Sequence, residues 1–352
     1  MGEEMVGFFT WLVMILFGVQ LLILIQLIAW KTSQLKKEKR MAAEITRLRP
    51  ELLKIMNGEQ EEIPAIGLTG SARTEAAESI LDELNHAYDG EEAVQSLRRV
   101  AEEYLTVQYK KTLKRGSWAD RINTLYFIDD FSMTSMKEEV YAHFLKRKKR
   151  DEEYRQCLRN LVSFGDERVL VHLFKEPLPS IVFLKELLLR MNAELLAETE
   201  EMLETRREEH ENMLFAFITV VGELNNGTYF PFVEKMLEDP REEVRIKAMK
   251  SLCSYREFTA FSLLEGFAES ASWQERMYSA KLIGACRLEE FRDTLMKLIS
   301  DQVWWVRFAA AQNIAQLTGG EELLKQIHTK SDDAYARDIA AHMLVRKGGR
   351  AR

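Results

Sequence analysis

Proline and glycine are scarce, with six and 17 in 352 residues, and extended alternation of Val, Ile and Thr is hard to find. Both shortages argue against a turn-rich β protein, while the abundant Leu, Glu, Ala, Lys and Met are strong helix formers. The chain therefore reads as all-α. Three cysteines, Cys157, Cys253 and Cys286, lie far apart with no CxxC and no His at metal-ligand spacing. They make neither a disulfide framework nor a zinc site, and read as small buried core residues in a reducing compartment. No Gly-rich phosphate loop or G-x-S-x-G is present, so the common nucleotide and nucleophile motifs are missing. Basic charge is not in excess either. Net charge is -7, and because Glu3 and Glu4 are the only charges before residue 31, the body carries -5. A nucleic-acid binder needs a basic face or stripe, so no nucleic-acid partner is expected.

Charge is absent altogether from Met5 to Trp30, 26 residues. As a helix this run is about 39 Å long, more than the ~30 Å hydrocarbon core of a bilayer requires. Phe8, Phe9 and Trp11 near one end and Trp30 at the other suit the two aromatic belts of a span. A cleaved signal peptide fits less well, since the leader is acidic, the run is about twice a normal signal core and no A-x-A site follows. The expectation is an uncleaved anchor, residues 1–30. Lys31, Lys36, Lys37, Lys39 and Arg40 follow it against Glu38 alone, which by the positive-inside rule places the N-terminus outside and the rest in the cytoplasm. The same five cations are candidate contacts for anionic lipid headgroups. Gln20 and Gln26 are polar within the run and either bond a neighbouring membrane helix or are tolerated singly.

Leu35, Ala42, Ile45, Leu48, Leu52 and Ile55 continue a helical periodicity through residues 31–56, with Pro50 expected to break or restart it. This juxtamembrane helix could form a short coiled coil, lie on lipid, or pack on the first repeat. Residues 57–74, rich in Gly, polar residues and one Pro, read as a linker, with Thr74 capping the next helix.

Residues 75–352 carry a repeat. Around Arg245, Arg276, Arg307 and Arg337, at offsets of 31, 31 and 30, the same skeleton recurs, with Leu252, Ile283, Ile314 and Leu344 seven residues after each Arg. A fixed period in this range marks a solenoid, whose helical pairs bury their apolar faces by stacking on one another. The segments LEDPREEVRIKAMKSL (Leu237 to Leu252) and ISDQVWWVRFAAAQNI (Ile299 to Ile314) resemble bacterial HEAT repeats of the short kind, with an acidic turn before a helix bearing V-R-x-x-A. The resemblance covers Leu237 to Arg346 and implies a right-handed α-solenoid; it says little about activity. Asp239 is expected to cap a helix opened by Pro240, small residues Ala248, Ala280, Ala310 and Ala340 to let helices approach, and each repeat Arg to reach the acidic turn of its neighbour. Glu275 and Ser270 depart from the pattern, as do Ala336 and Ser331. Upstream, Leu214, Phe217 and Val221 hold the place before Arg245, and Arg155 and Arg121 keep the skeleton at a spacing of 34. Extended to about residue 90, the array has roughly seven pairs.

Two polar clusters invite a functional reading. The run Lys146 to Arg150, KRKKR, is either a phosphate or headgroup contact or a solvated helix end followed by Asp151, Glu152 and Glu153. His210 with Glu211 resembles the His-Glu pairs of metal-binding HEAT-repeat hydroxylases, but those enzymes need several such pairs and His86, His143, His172, His328 and His342 lack a following Glu. No metal, cofactor or catalytic residue is assigned. HEAT-like lyases and DNA glycosylases remain the enzymatic alternative.

The strongest functional signal is geometric. With Val306 at 0° and about 100° per residue, Val303, Ala310, Ile314 and Leu317 share one face while Trp304 and Phe308 point away from it. One repeat earlier these two places hold Trp273 and Met277. In HEAT-like arrays this helix is expected on the concave side, so Trp273, Met277, Trp304 and Phe308 make a candidate partner-binding ridge of the residue types that dominate interfaces. The competing possibility is packing against a neighbouring repeat or the C-terminal helix. The function expected is a membrane-anchored cytoplasmic scaffold in a bacterial inner membrane, docking a membrane-associated protein in an envelope or exopolysaccharide synthesis machine. A structural homo-oligomer is the rival.

Overall fold

The computed structural model describes residues 2–88, 90–175, 179–206 and 209–350; the side chains of Glu3, Glu4 and Phe9 lie outside the described residues. Among the described residues every regular element is helical. The chain divides into two compact units, Met1–Asp166 and Glu167–Arg352.

The first unit holds α1 (Gly2–Met56), α2 (Gly70–Ala87), α3 (Glu91–Arg115), α4 (Trp118–Asp130), α5 (Lys137–Phe144) and α6 (Glu152–Ser163). Within α1, the uncharged run is exposed from Trp11 to Trp30 apart from half-buried Gly18, and the helix is long and apolar enough to cross a membrane. Beyond it α1 continues without a break and passes through Pro50. A Pro inside a helix costs about 3 kcal/mol, and here burial offsets that cost: Leu48, Leu52 and Ile55 on either side of Pro50 are sealed against the rest of the unit, each worth roughly 1.5–3 kcal/mol. The amphipathic stretch after residue 44 thus packs on α2 and α3, while Leu35 and Ala42 stay exposed.

Residues 57–69 are a strap rather than a linker. Glu44 accepts from the Gly67 amide (2.6 Å), Arg47 donates to the Ala65 carbonyl (2.8 Å), Tyr104 donates to the Pro64 carbonyl (2.7 Å), and Ile66 is buried. The next helix begins at Gly70, so Thr74 lies inside α2 and does not cap it. From α3 onward the helices alternate in pairs. α4 opens with a full capping box between Ser117 and Asp120, and α6 with Asp151 accepting from the Tyr154 amide.

The second unit runs α7 (Arg168–Leu173), α8 (Ile181–Arg190), α9 (Ala193–Arg206), α10 (Glu211–Leu224), α11 (Phe230–Lys235), α12 (Glu242–Tyr255), α13 (Phe261–Ala268), α14 (Trp273–Ala285), α15 (Arg292–Leu298), α16 (Trp304–Ile314), α17 (Gly320–Lys330) and α18 (Ala334–Arg350). The even-numbered helices form one row, each packed on the next from α8 to α18, and the odd-numbered members from α9 to α17 sit against their partners. Among the described residues this gives two pairs in the first unit and six in the second, one more than the period alone suggests. Leu252, Ile283 and Ile314, seven residues after each repeat Arg, are fully buried, as are Ala248, Ala280, Ala310 and Ala340; Leu344 is only half-buried. Leu214, Phe217 and Val221 are fully buried on α10, where the period places them.

Gly284 shows how closely the row is packed. A Cβ there would collide with the Asn313 side chain of α16, so only glycine allows this approach of α14 to α16. One pair breaks the expected register: α12 starts at Glu242, and Asp239 accepts from the Arg241 amide (3.0 Å) in the preceding turn instead of capping a helix that Pro240 opens.

Candidate functional site

The repeat arginines determine how α12, α14, α16 and α18 are set. Each sends one guanidinium nitrogen back to two carbonyls of its own turn: Arg245 to Asp239 and Pro240, Arg276 to Ser270 and Ala271, Arg307 to Asp301 and Gln302, Arg337 to Ser331 and Asp332. What the rest of the side chain meets changes along the row. Arg276 makes a bidentate bond to Asp301 of the next turn (2.6 and 3.1 Å), the expected arrangement. For Arg245 the corresponding turn residue is Ser270, and the carboxylate comes from Glu275 five residues on (2.6 Å), itself bonded by the Ser270 hydroxyl. The two departures from the sequence pattern are therefore one compensated exchange. Beyond Arg307 neither Ser331 nor Ala336 supplies an acid, and the guanidinium lies over the Tyr335 ring at 4.9 Å instead.

The same arrangement corrects the upstream register. Arg121 donates to the Gly116 carbonyl (2.8 Å) and to both oxygens of Glu153 (2.6 and 3.1 Å), so Glu153 stands where Glu275 does. Tyr154, not Arg155, then holds the repeat-arginine place, with fully buried Leu161 seven residues on; Arg155 is exposed.

The ridge residues are positioned by this row. Trp304 is 45% exposed and Trp305 56% exposed at the start of α16. Trp304 stacks on Phe308 at 5.0 Å and meets Trp305 edge-on at 4.7 Å. Phe308 is half-buried: His342 of α18 lies 6.5 Å away and the Arg346 guanidinium 5.8 Å from its ring. It is thus partly covered by the C-terminal helix, whereas Trp304 is open. Trp273 and Met277 are half-buried on α14, the neighbouring helix of the row. Sequence reasoning missed Trp305 and Tyr335, which the period aligns and the structure leaves exposed. An angular reading that took only the two positions farthest from the core passed over them.

Of the five cations after the uncharged run, Lys31, Lys36, Lys39 and Arg40 are exposed, while Lys37 is paired with Glu75 of α2 at 2.6 Å. His210 is buried with its ring edge-on to Phe174 at 5.0 Å. Among the described residues no three His, Cys, Asp or Glu side chains converge as a metal site. Cys157 is buried, while Cys253 and Cys286 are only half-buried. Burial pushes all three thiols up, Cys253 to about 12 and Cys286 to about 11, so none is a ready thiolate.

Glu153 is the most strongly perturbed carboxylate here. Burial alone would raise it, but Arg121, His143 (2.6 Å) and Arg147 (3.1 Å) outweigh burial and hold it down at about 2. Burial pushes His143 below the ordinary imidazole range. The cluster ties α4, α5 and α6 together through the Glu153 carboxylate, with the Arg147 Nε left as its one buried nitrogen without a hydrogen bond among the described residues.

Comparison with curated proteins finds no match. A crystal structure of an engineered protein is similar at 16% identity, covering 86% of this chain and 92% of that one with a TM-score of 0.38. The family model for HEAT repeats matches residues 261–345, the segment that spans α13 to α18 and carries Trp273, Met277, Trp304 and Phe308.

Proposed function

We propose that the chain is a single-pass membrane protein, N-terminus outside, whose cytoplasmic HEAT-type repeats dock a membrane-associated protein on the ridge formed by Trp273, Met277, Trp304 and Phe308, extended by Trp305 and Tyr335. The observation that carries this reading is the exposed, mutually packed Trp304–Trp305 pair at the start of α16. Exposed aromatic clusters of this kind are costly to leave in water and are the residues that dominate interface energetics. The anchor is supported by the exposed apolar run of α1 and by the cations that follow it. The chain catalyses nothing itself; it holds a membrane enzyme or regulator, in a setting such as bacterial envelope or exopolysaccharide synthesis.

The test is affinity purification from membranes in mild detergent with Trp304→Ala plus Trp305→Ala as the control. Both side chains are largely exposed, so the double variant should melt close to the parent yet lose its principal partner. Retention of that partner would refute the ridge. Recovery of a second copy of this chain alone would establish the homo-oligomer in its place.

A further inference from the structure

The first unit has one end that faces the apolar run of α1, and the contacts within the unit show what lies there. α1 and α2 run in the same direction, because Lys37 pairs with Glu75 and Arg49 with Glu83; the first turn of α2 therefore sits beside Lys37. α3 returns antiparallel, with the Tyr109 hydroxyl donating to Glu78 (2.8 Å), so its last turn ends beside the first turn of α2. Arg121 joins the α3–α4 turn to the start of α6, and Arg147 joins the α5–α6 loop to the same Glu153. The α3–α4 turn and the α5–α6 loop thus share the end from which α1 leaves toward Trp30. Lys37 follows Trp30 by seven positions, about 10 Å of helix, a little more than one Debye length (~8 Å) at physiological ionic strength.

That end is basic, and it also exposes apolar side chains. Lys114 and Arg115 before the α3–α4 turn, and Lys148 and Lys149 in the loop, are exposed. Among them stand Trp118, 52% exposed, and Leu145, 56% exposed. The acids at this end have partners within the unit: exposed Asp151 caps α6, half-buried Glu152 bonds Arg159 (2.7 Å), buried Glu153 holds Arg121, His143 and Arg147, and exposed Asp120 bonds Ser117. The exposed cations outnumber the exposed acids. Cations interleaved with an exposed Trp and Leu are the composition of a surface that lies in the headgroup layer, the apolar groups entering and the cations meeting anionic lipid.

We infer that this end of the first unit is a second membrane contact, resting on anionic headgroups of the bilayer that α1 enters. The inference depends on the anchor proposed above. Because α1 is continuous from the apolar run into the packed stalk, the anchor holds the basic end at the surface and the contact fixes how the unit is presented. Each basic side chain near an anionic surface favours it roughly fivefold.

The test uses the full chain carrying Leu145→Cys labelled with an environment-sensitive fluorophore, with the unsubstituted chain labelled in parallel as background. It is reconstituted into nanodiscs of phosphatidylcholine alone or mixed with phosphatidylglycerol. The expected result is a blue shift and protection from iodide quenching in the anionic discs only. Lys114→Gln, Arg115→Gln, Lys148→Gln and Lys149→Gln together should remove both effects, while the chain still resists alkaline carbonate extraction and keeps its helicity. A label equally exposed in both discs, in a chain that resists extraction, overturns the second contact and leaves the anchor standing. Equal protection in both discs overturns it too, in favour of burial by protein. Release of the unsubstituted chain by carbonate refutes the anchor, and the second contact with it.

Discussion

Replacing Arg276 by Leu should unfold the second unit at a distinctly lower temperature. Its side chain is 10% exposed and that of Asp301 9% exposed, so the pair is largely out of water. The substitution strands the Asp301 carboxylate with only the Val303 amide (2.8 Å) and removes the donor from the Ser270 and Ala271 carbonyls. Breaking one side of a buried pair costs about 3–5 kcal/mol. In a body of this size 1 kcal/mol moves the melting temperature by about 2–4 °C, so the variant should melt roughly 10 °C below the parent by circular dichroism in detergent. Adding Asp301→Leu removes the stranded charge but leaves the two carbonyls unbonded, so the double variant should recover about half of the loss, since a fully replaced pair is often close to neutral. A single variant within about 2 °C of the parent, or a double variant worse than the single, would refute the Arg276–Asp301 pair as a determinant of how the repeats are held.

Other expectations follow from separate features. Glu153, held at about 2 against an ordinary 4.5, binds fewer protons folded than unfolded between those values. Its stabilisation, about 3 kcal/mol, is complete above pH 4.5 and lost as pH falls toward 2. His143, depressed by burial, adds a loss of the same sign that begins below its ordinary 6.5. Urea midpoints should therefore fall with pH, and Glu153→Gln should flatten the acid limb while lowering stability at neutral pH. Gly284→Ala drives a methyl into Asn313, whose amide donates to the Ala309 carbonyl (2.7 Å), and should destabilise by about 1–3 kcal/mol as overpacking. Arg287, at φ 53°, occupies the left-handed region after α14, so Arg287→Gly should stabilise by about 1 kcal/mol; a lower melting temperature would show that its side chain matters more than its backbone.

The period, the repeat arginines and the apolar residues that follow them were legible because each is a local pattern that stacking uses directly. What escaped reading depended on contacts between distant residues. Pro50 marks a helix end locally, but Leu48, Leu52 and Ile55 are buried strongly enough to carry the helix through it. Residues 57–69 have linker composition, yet Glu44, Arg47 and Tyr104 bind their backbone from other helices. The spacing of arginines points to Arg155, but the recurring geometry lies in Glu153, which no spacing of arginines reveals. The left-handed caps at Asn225, Arg256 and Arg287 recur at the repeat period but use non-glycine residues, so nothing in composition announces them. At the ridge, the helical angle puts Trp304 away from the core and it is solvent-facing in the fold, while the partial cover of Phe308 by α18 depends on a helix later in the chain.

The most direct measurement of the central claim is site-specific photo-crosslinking in intact membranes, comparing a photoreactive residue at Trp304 with one at exposed Gln326 on α17. The account predicts a discrete adduct with a membrane-associated protein from position 304 and none from position 326. Absence of any adduct at 304, or the same adduct from both positions, would contradict a ridge that docks a partner.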